Sequence, residues 1–592
     1  MRKFSKTKAR RIFKNRRRQV NDLTDNASAN IDRHIFRRIN NFADVGRFMF
    51  AWMALIILLI GGVAYQTRGL DKFYLSNQGI DGGILNEGIA GTYTTPNPLF
   101  ATSTVDLTVS RLLFNSILTY DDRGALTGDL ADSVTRAENG LSYTVVLKKN
   151  VVWHDGFGLT AKDVVFTYKA IQNVDTKSPY TVSWLGVKIE QLDDYTVKFS
   201  LPAALNSFPL SLTGGILPAH SFDNVPFSEL RGSNFNVHPI GTGPFKLSKV
   251  VRIDAADSIV KRQRIETVKN DRYFKGSPKL EAYVLFALKD DADIKEQFRL
   301  RTIDSAVLNS QLDTSGLKEA VTTKNIPLLA GTYIFFNTQK APLDSVDMRQ
   351  ALLAGTDTDM LESKLGYPTQ KVRSPFLSMQ TGYDTAYLQT DYDLAKSNSM
   401  LDTLGWLRNP TLGNMRAKNG KLLEIGLTAL DSSDFSVITS TLQQKWQTDI
   451  GVKLNITTKA ASDMQPILLQ HSYDTLLYGV SLGVDPDVFA YWHSSQAVPD
   501  RFNLSLYKSE VADRSLEAGR TRPDIDLRNA KYKPFLDAWK KDAPAIGLYQ
   551  PPIFYVSRSK IYNSDISRLN SSADRFYGVH KWQVLTNKRS IL

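Results

Sequence analysis

Along most of the chain, runs with apolar residues at alternate positions give way to runs with apolar residues three and four apart, which predicts strands followed by helices. Residues 142–149 (SYTVVLKK) read as a strand and 160–172 (TAKDVVFTYKAIQ) as a helix, with Thr160 as its cap and Asp163 three residues on. The alternation continues with a strand at 332–337, a helix at 344–355 and a strand at 422–430. A helix at 435–450, a strand at 452–457, a helix at 464–470 and a strand at 473–479 follow. Such repetition predicts an α/β fold, whose ligand sites gather at the carboxyl ends of strands. The loops after Asn337 and Gly479 are therefore the first places to look.

One run breaks both periods. Phe48–Tyr65 is apolar on every helix face and carries no charge. At ~1.5 Å per residue it spans ~27 Å, the hydrocarbon thickness of a bilayer. It predicts a transmembrane helix. Gly62 and Ala64 leave open a cleavage after Ala64, but a 47-residue leader and the length of the run favour a retained signal anchor. Residues 1–47 hold 14 Lys and Arg against four Asp, which predicts a cytoplasmic N-terminus and an extracytoplasmic body. Ile31, Ile35, Ile39, Phe42 and Val45 recur at helical spacing, so an amphipathic helix on the inner leaflet and a solvated basic tail are both open readings.

The whole chain of 592 residues carries a net charge of +13, and the tail accounts for most of it. Residues 48–592 hold 59 basic and 56 acidic side chains, so the body has no surplus to neutralise phosphates, which argues against nucleic acid as a partner. Cysteine is absent, which excludes a disulfide framework, a thiolate metal site, a cysteine nucleophile and a lipidated cysteine anchor. The seven histidines show no metal-ligand spacing, and no phosphate-binding glycine loop is present, so no metal and no cofactor are expected. His154-Asp155-Gly156 reads as a hairpin turn. Gly479-Val480-Ser481-Leu482-Gly483 fits the G-x-S-x-G nucleophile elbow, with Asp524, Asp526 or Asp537 and His580 as conceivable triad partners. The elbow needs a helix that starts at the serine, whereas Pro486 places the next helix start about five residues later. A serine hydrolase is the weaker rival. Phe489, Tyr491 and Trp492 read as packing of a helix more readily than as a cleft lining.

Ordered blocks from about residue 80 to 560 carry a resemblance. Leu112–Ile171 reads LLFNSILTYDDRGALTGDLADSVTRAENGLSYTVVLKKNVVWHDGFGLTAKDVVFTYKAI. PIGTGPFKLSKV (239–250), YIFFNTQKAPLDSVDMRQALLAGTD (333–357), YDTLLYGVSLGVDPDVF (473–489) and DAPAIGLYQPPIFYVS (542–557) follow in order. Together they resemble the family 5 extracellular solute-binding proteins, the oligopeptide and dipeptide receptors of ABC importers. The resemblance implies a two-lobed periplasmic-binding-protein-like fold that closes by a hinge. It places lobe I at 66–286 plus 556–592, with an inserted subdomain near 113–200, and lobe II at 287–555. The crossovers are then expected in the strands 283–287 and 552–556.

The same resemblance puts Gly241-Thr242-Gly243 beside the cleft, where glycines let backbone amides approach a ligand. It also directs attention to the loop of Ser481, Leu482, Gly483 and Asp485. Peptide receptors carry there an aspartate that pairs with the peptide's α-amino group, and in this chain that place falls on Leu482 or Gly483. Asp485 could substitute from a shifted loop, although Asp485 before Pro486 also looks like a helix cap. The expectation is a monomeric, non-enzymatic receptor, tethered through residues 48–65, that captures an oligopeptide or small-molecule ligand for an ABC permease. An orphan sensor that signals through the inner tail is the alternative.

Overall fold

The computed structural model describes residues 46–254, 262–313 and 321–590. The apolar stripe Ile31–Val45 lies outside the described residues. Two units are distinct: residues 1–78 with 586–592, and residues 79–585. The first contains the helix Gly46–Tyr74, whose stretch Phe48–Gln66 is long and apolar enough to cross a membrane and has no buried residue.

The second unit is a two-lobed α/β body built on two large sheets. In the first lobe a seven-stranded sheet runs in the order Thr322–Pro327, Pro552–Ser557, Ser305–Leu308, Ile84–Ala90, Ala282–Leu288, Gln263–Lys269 and Phe245–Arg252. Ile84–Ala90 is parallel to both of its neighbours, and the outer strands are antiparallel. A separate four-stranded antiparallel sheet (Ala131–Arg136, Ser142–Leu147, Thr196–Ser200, Lys188–Asp193) carries the helix Ala161–Gln172 against it. That helix begins with a capping box, Thr160 and Asp163 each bonding the other's backbone.

The second lobe holds a five-stranded sheet in the order Lys453–Lys459, Glu424–Leu430, Thr475–Ser481, Ala330–Phe336 and Ala545–Gly547. Helices cover both of its faces, so Ala330–Phe336 is buried throughout. The period of two still operates: Ile334 and Phe336 enter one core, Tyr333 and Phe335 the other. The helix expected at 435–450 runs as Ser433–Lys445 and then widens into a π turn, Trp446–Ile450, whose Trp446 and Ile450 are buried.

The crossovers differ from the expected places. Strand 283–287 is an interior strand of the seven-stranded sheet, and two more strands of that sheet, 305–308 and 322–327, follow before the chain leaves it. Strand 552–556 likewise lies inside the same sheet. The chain passes between sheets at Leu328-Leu329 and returns through 548–551. These two segments lie side by side, with Leu328 N donating to Pro551 O at 3.0 Å and Gln550 Nε2 to Leu328 O at 3.2 Å. The boundaries at 286 and 555 are therefore corrected to about 328 and 550. The physical reason is that strand pairing is non-local: an apolar run of five residues reads the same at a sheet's centre and at a crossover.

Candidate functional site

The turn Gly241-Thr242-Gly243 is built around His154. The His154 ring accepts a hydrogen bond from Gly241 N at Nδ1 (3.1 Å) and bonds Gly243 O through Nε2 (3.1 Å). Gly243 N donates to Leu113 O at 2.8 Å, and Asn270 donates to Gly243 O at 3.0 Å. Thr242 is buried and exchanges hydrogen bonds with Asn115. A Cβ on Gly241 would sit 1.8 Å from Leu113 O, and one on Gly243 2.5 Å from Leu112 O. The glycines are required by close packing of the protein's own backbone. The backbone groups of Gly241 and Gly243 and the Thr242 hydroxyl are thus bonded within the protein. His154 holds its ring neutral: burial, first of all, pushes its pKa down to about 4, with Lys246 and Arg272 adding to the effect and the Gly243 carbonyl opposing it.

The loop after Thr475–Ser481 faces a different environment. Ser481 is exposed at the strand end. Leu482 N and Gly483 N both donate to Leu329 O, each at 2.9 Å, so the loop is fastened to the first crossover. Gln380 Nε2 reaches the carbonyls of Leu482, Gly483 and Asp485 at 3.0–3.2 Å. Gly483 has φ +64°, a conformation that favours glycine. Asp485 is clamped by both terminal nitrogens of Arg528, one at 2.7 Å. Asp487 accepts from Arg520 at 3.1 Å and from the Ser207 hydroxyl of the first lobe at 2.8 Å. Asn206 N donates to Arg520 O at 3.0 Å. The two lobes thus touch across the cleft at this loop.

Beside that contact the first lobe contains a cavity of about 420 Å³. Helix Thr104–Leu113 contributes Leu107 and Arg111, helix Ala161–Gln172 contributes Tyr168 and Ile171, and the segment 570–574 closes the far wall. The loop 210–215 forms another wall, only a few residues beyond Ser207. Asn570 lines the cavity, and its Oδ1 lies 3.6 Å from where Gly483 would carry a Cβ. Phe114, Tyr120, Tyr180 and Trp184 add aromatic rings to the lining. Burial pushes the Tyr120 phenol up to about 12, and the nearby carboxylates of Asp574 and Asp485 push in the same direction. Tyr168 stands on the expected helix, four residues after Val164 on its buried face.

Two of the conceivable triad carboxylates and the histidine are engaged away from Ser481. Asp524 caps the helix Ile525–Asp542 through Leu527 N, Asp537 pairs with Lys541, and His580 is packed edge-on against Tyr273. After Ser481 the chain is tied to Leu329, and the next helix is Phe489–Trp492. Trp492 is buried in the core of the second lobe. Among the described residues no three His, Asp or Glu side chains converge to hold a metal.

Comparisons with known proteins agree with this architecture. The bacterial extracellular solute-binding proteins, family 5 (middle) match residues 125–519, more than half of the chain. The oligopeptide-binding protein AppA of Bacillus subtilis (strain 168) is 28% identical over 488 residues, covering 79% of this chain and 86% of the relative. The structure of the Bacillus subtilis AppA in complex with a nonapeptide superposes with a TM-score of 0.69 at 24% identity, covering 86% of this chain and 100% of that one. NikZ from Campylobacter jejuni in complex with Ni(L-His) gives a TM-score of 0.70 at 24% identity, covering 84% and 99%.

Proposed function

Because this chain belongs to the bacterial extracellular solute-binding proteins of family 5, we propose that it is a membrane-tethered receptor that closes two lobes around an oligopeptide or a similarly extended small solute and passes it to an ABC permease. The observation that carries this reading is the aromatic cavity of the first lobe beside the 481–487 loop of the second, in a body whose lobes are joined by two adjacent crossover segments. A guest that touches both lobes stabilises the closed state in proportion to the contacts made only there. The receptor needs no nucleophile, and it releases its guest unchanged.

The helix Phe48–Gln66 supports a retained single-pass anchor, with the basic tail inside the cell and the body outside as a monomer. Such a tether raises the local concentration of receptor at a permease without adding contacts. One structural relative holds a nonapeptide and another a nickel–histidine complex. The test is to purify the full chain in detergent, denature it and identify released small molecules by mass spectrometry. Peptides or other small amides are the expected result. Protein that releases nothing and shows no change in its scattering profile with any candidate solute would contradict the reading.

A further inference from the structure

Beside the first crossover the chain brings a cation to the junction of the lobes. Leu569 is bridged to Leu328 in parallel: its N donates to Pro327 O at 3.2 Å, and its carbonyl accepts from Leu329 N at 2.7 Å. The Leu569 side chain is buried in the first lobe. In such an extended stretch alternate side chains share a face, so Arg568 and Asn570 stand on the side opposite Leu569. Asn570 lines the cavity and approaches Gly483 of the second lobe. Arg568 is half-buried and reaches the second lobe, where its Nη1 donates to the Met379 sulfur at 3.2 Å. Met379 immediately precedes Gln380, which holds the carbonyls of Leu482, Gly483 and Asp485.

Charge is balanced pair by pair elsewhere at this junction. Asp485 has Arg528, Asp487 has Arg520 and Asp574 has Arg111. An ammonium arriving with a guest would find each of these carboxylates taken. Arg568 differs. Among the described residues its guanidinium forms no ion pair, and the Met379 sulfur is its one hydrogen-bond acceptor. Asp122, whose carbonyl accepts from Ser567 N and Oγ at 3.0 Å, forms no ion pair with it either. A thioether is a weak acceptor, whereas the planar guanidinium fork fits two oxygens of a carboxylate or a phosphate at once. A partly buried cation without a counterion is costly, and an anion held between Arg568 and the second lobe relieves that cost in the closed state.

Resting on the receptor reading above, we infer that Arg568 sets the charge of the guest: the guest carries an oxyanion, a carboxylate or a phosphate, and no ammonium, and the oxyanion pairs with Arg568 where the lobes meet. Arg568→Gln tests this without threatening the fold, since it gives up a single bond to sulfur at a half-buried position.

The full chain in detergent is titrated by calorimetry with acetyl-alanyl-phenylalanyl-alanine, which has a carboxylate and no amine, with its uncharged amide and with unblocked alanyl-phenylalanyl-alanine. The acetylated acid should bind about tenfold or more tighter than either of the others. In Arg568→Gln the acid should fall to the affinity of the amide while the amide is unchanged, and Arg568→Lys should restore part of the difference. Equal losses for acid and amide would make Arg568 merely structural and overturn the inference, as would an amide or a zwitterion bound as tightly as the acid. If none of the three binds, the molecule released on denaturation decides. An amine-free carboxylate or phosphate that is missing from Arg568→Gln protein supports the inference and shows which oxyanion is used. A neutral or amine-bearing solute keeps the receptor and refutes the anionic guest, whereas release of nothing sinks the receptor reading and the inference with it.

Discussion

Two glycine-bearing segments, Gly241–Gly243 and Ser481–Gly483, put their backbones to opposite uses. In the first, His154, Leu113 and Asn270 take up the polar groups, and the missing side chains make room for a carbonyl of the neighbouring helix. In the second, the amides are bonded to Leu329 in the crossover, and the strand end is left exposed at the junction of the lobes. The first segment therefore holds one lobe together, while the second couples the cleft to the part of the chain about which the lobes must move. A glycine demanded by packing and a glycine demanded by a positive φ, as at Gly483, read identically in a sequence.

The sharpest way to break this contrast is Gly241→Ala. With a Cβ placed 1.8 Å from a backbone oxygen there is no flexible side chain to give way. The expected loss exceeds about 4 kcal/mol, enough to abolish folded protein in thermal melts. Acid should separate the segments next. His154 has an ordinary pKa of 6.5 and is held near 4 by burial, so the unfolded chain takes up its proton first as pH falls. Its contribution is complete above about pH 6.5 and disappears as pH drops towards 4, on the order of 3 kcal/mol. Denaturant midpoints measured across that window should show the decline, and His154→Gln should flatten it.

Arg528→Met acts on the other segment. It leaves Asp485 without its guanidinium in a largely buried setting and should cost about 2 kcal/mol. The same change frees a carboxylate at the cleft, so the binding of a zwitterionic peptide relative to its blocked form, read by calorimetry, should rise. The smallest effect is expected from Ser207→Ala, which removes the hydroxyl bonded to Asp487 across the lobes. About 1 kcal/mol of bias toward the closed state should be lost, visible as a slightly larger radius of gyration with overall stability unchanged.

Local signals carried far in this chain. The capping box at Thr160 and Asp163, the buried strand around Tyr333–Phe336 and the charge-free helix after Arg47 are written in neighbouring residues, and each appears where the pattern puts it. What was hidden depends on partners remote in sequence. His154 closes on a turn nearly ninety residues later, and Asp485 meets Arg528 across 43 positions. The crossovers were displaced for the same reason, since nothing within 305–308 or 322–327 says which sheet those strands will join. The cavity is half legible: its helix is written in the local pattern, but the packing of Tyr168 depends on Trp184 and Phe199, which lie further along the chain.

Hydrogen–deuterium exchange of the full chain in detergent, with and without acetyl-alanyl-phenylalanyl-alanine, tests the central assignment most directly. Added protection should appear together in residues 206–215, 481–487 and 570–574, with no change at 241–243. Protection confined to 241–243, or none in the three cleft segments when the peptide is bound, would contradict it.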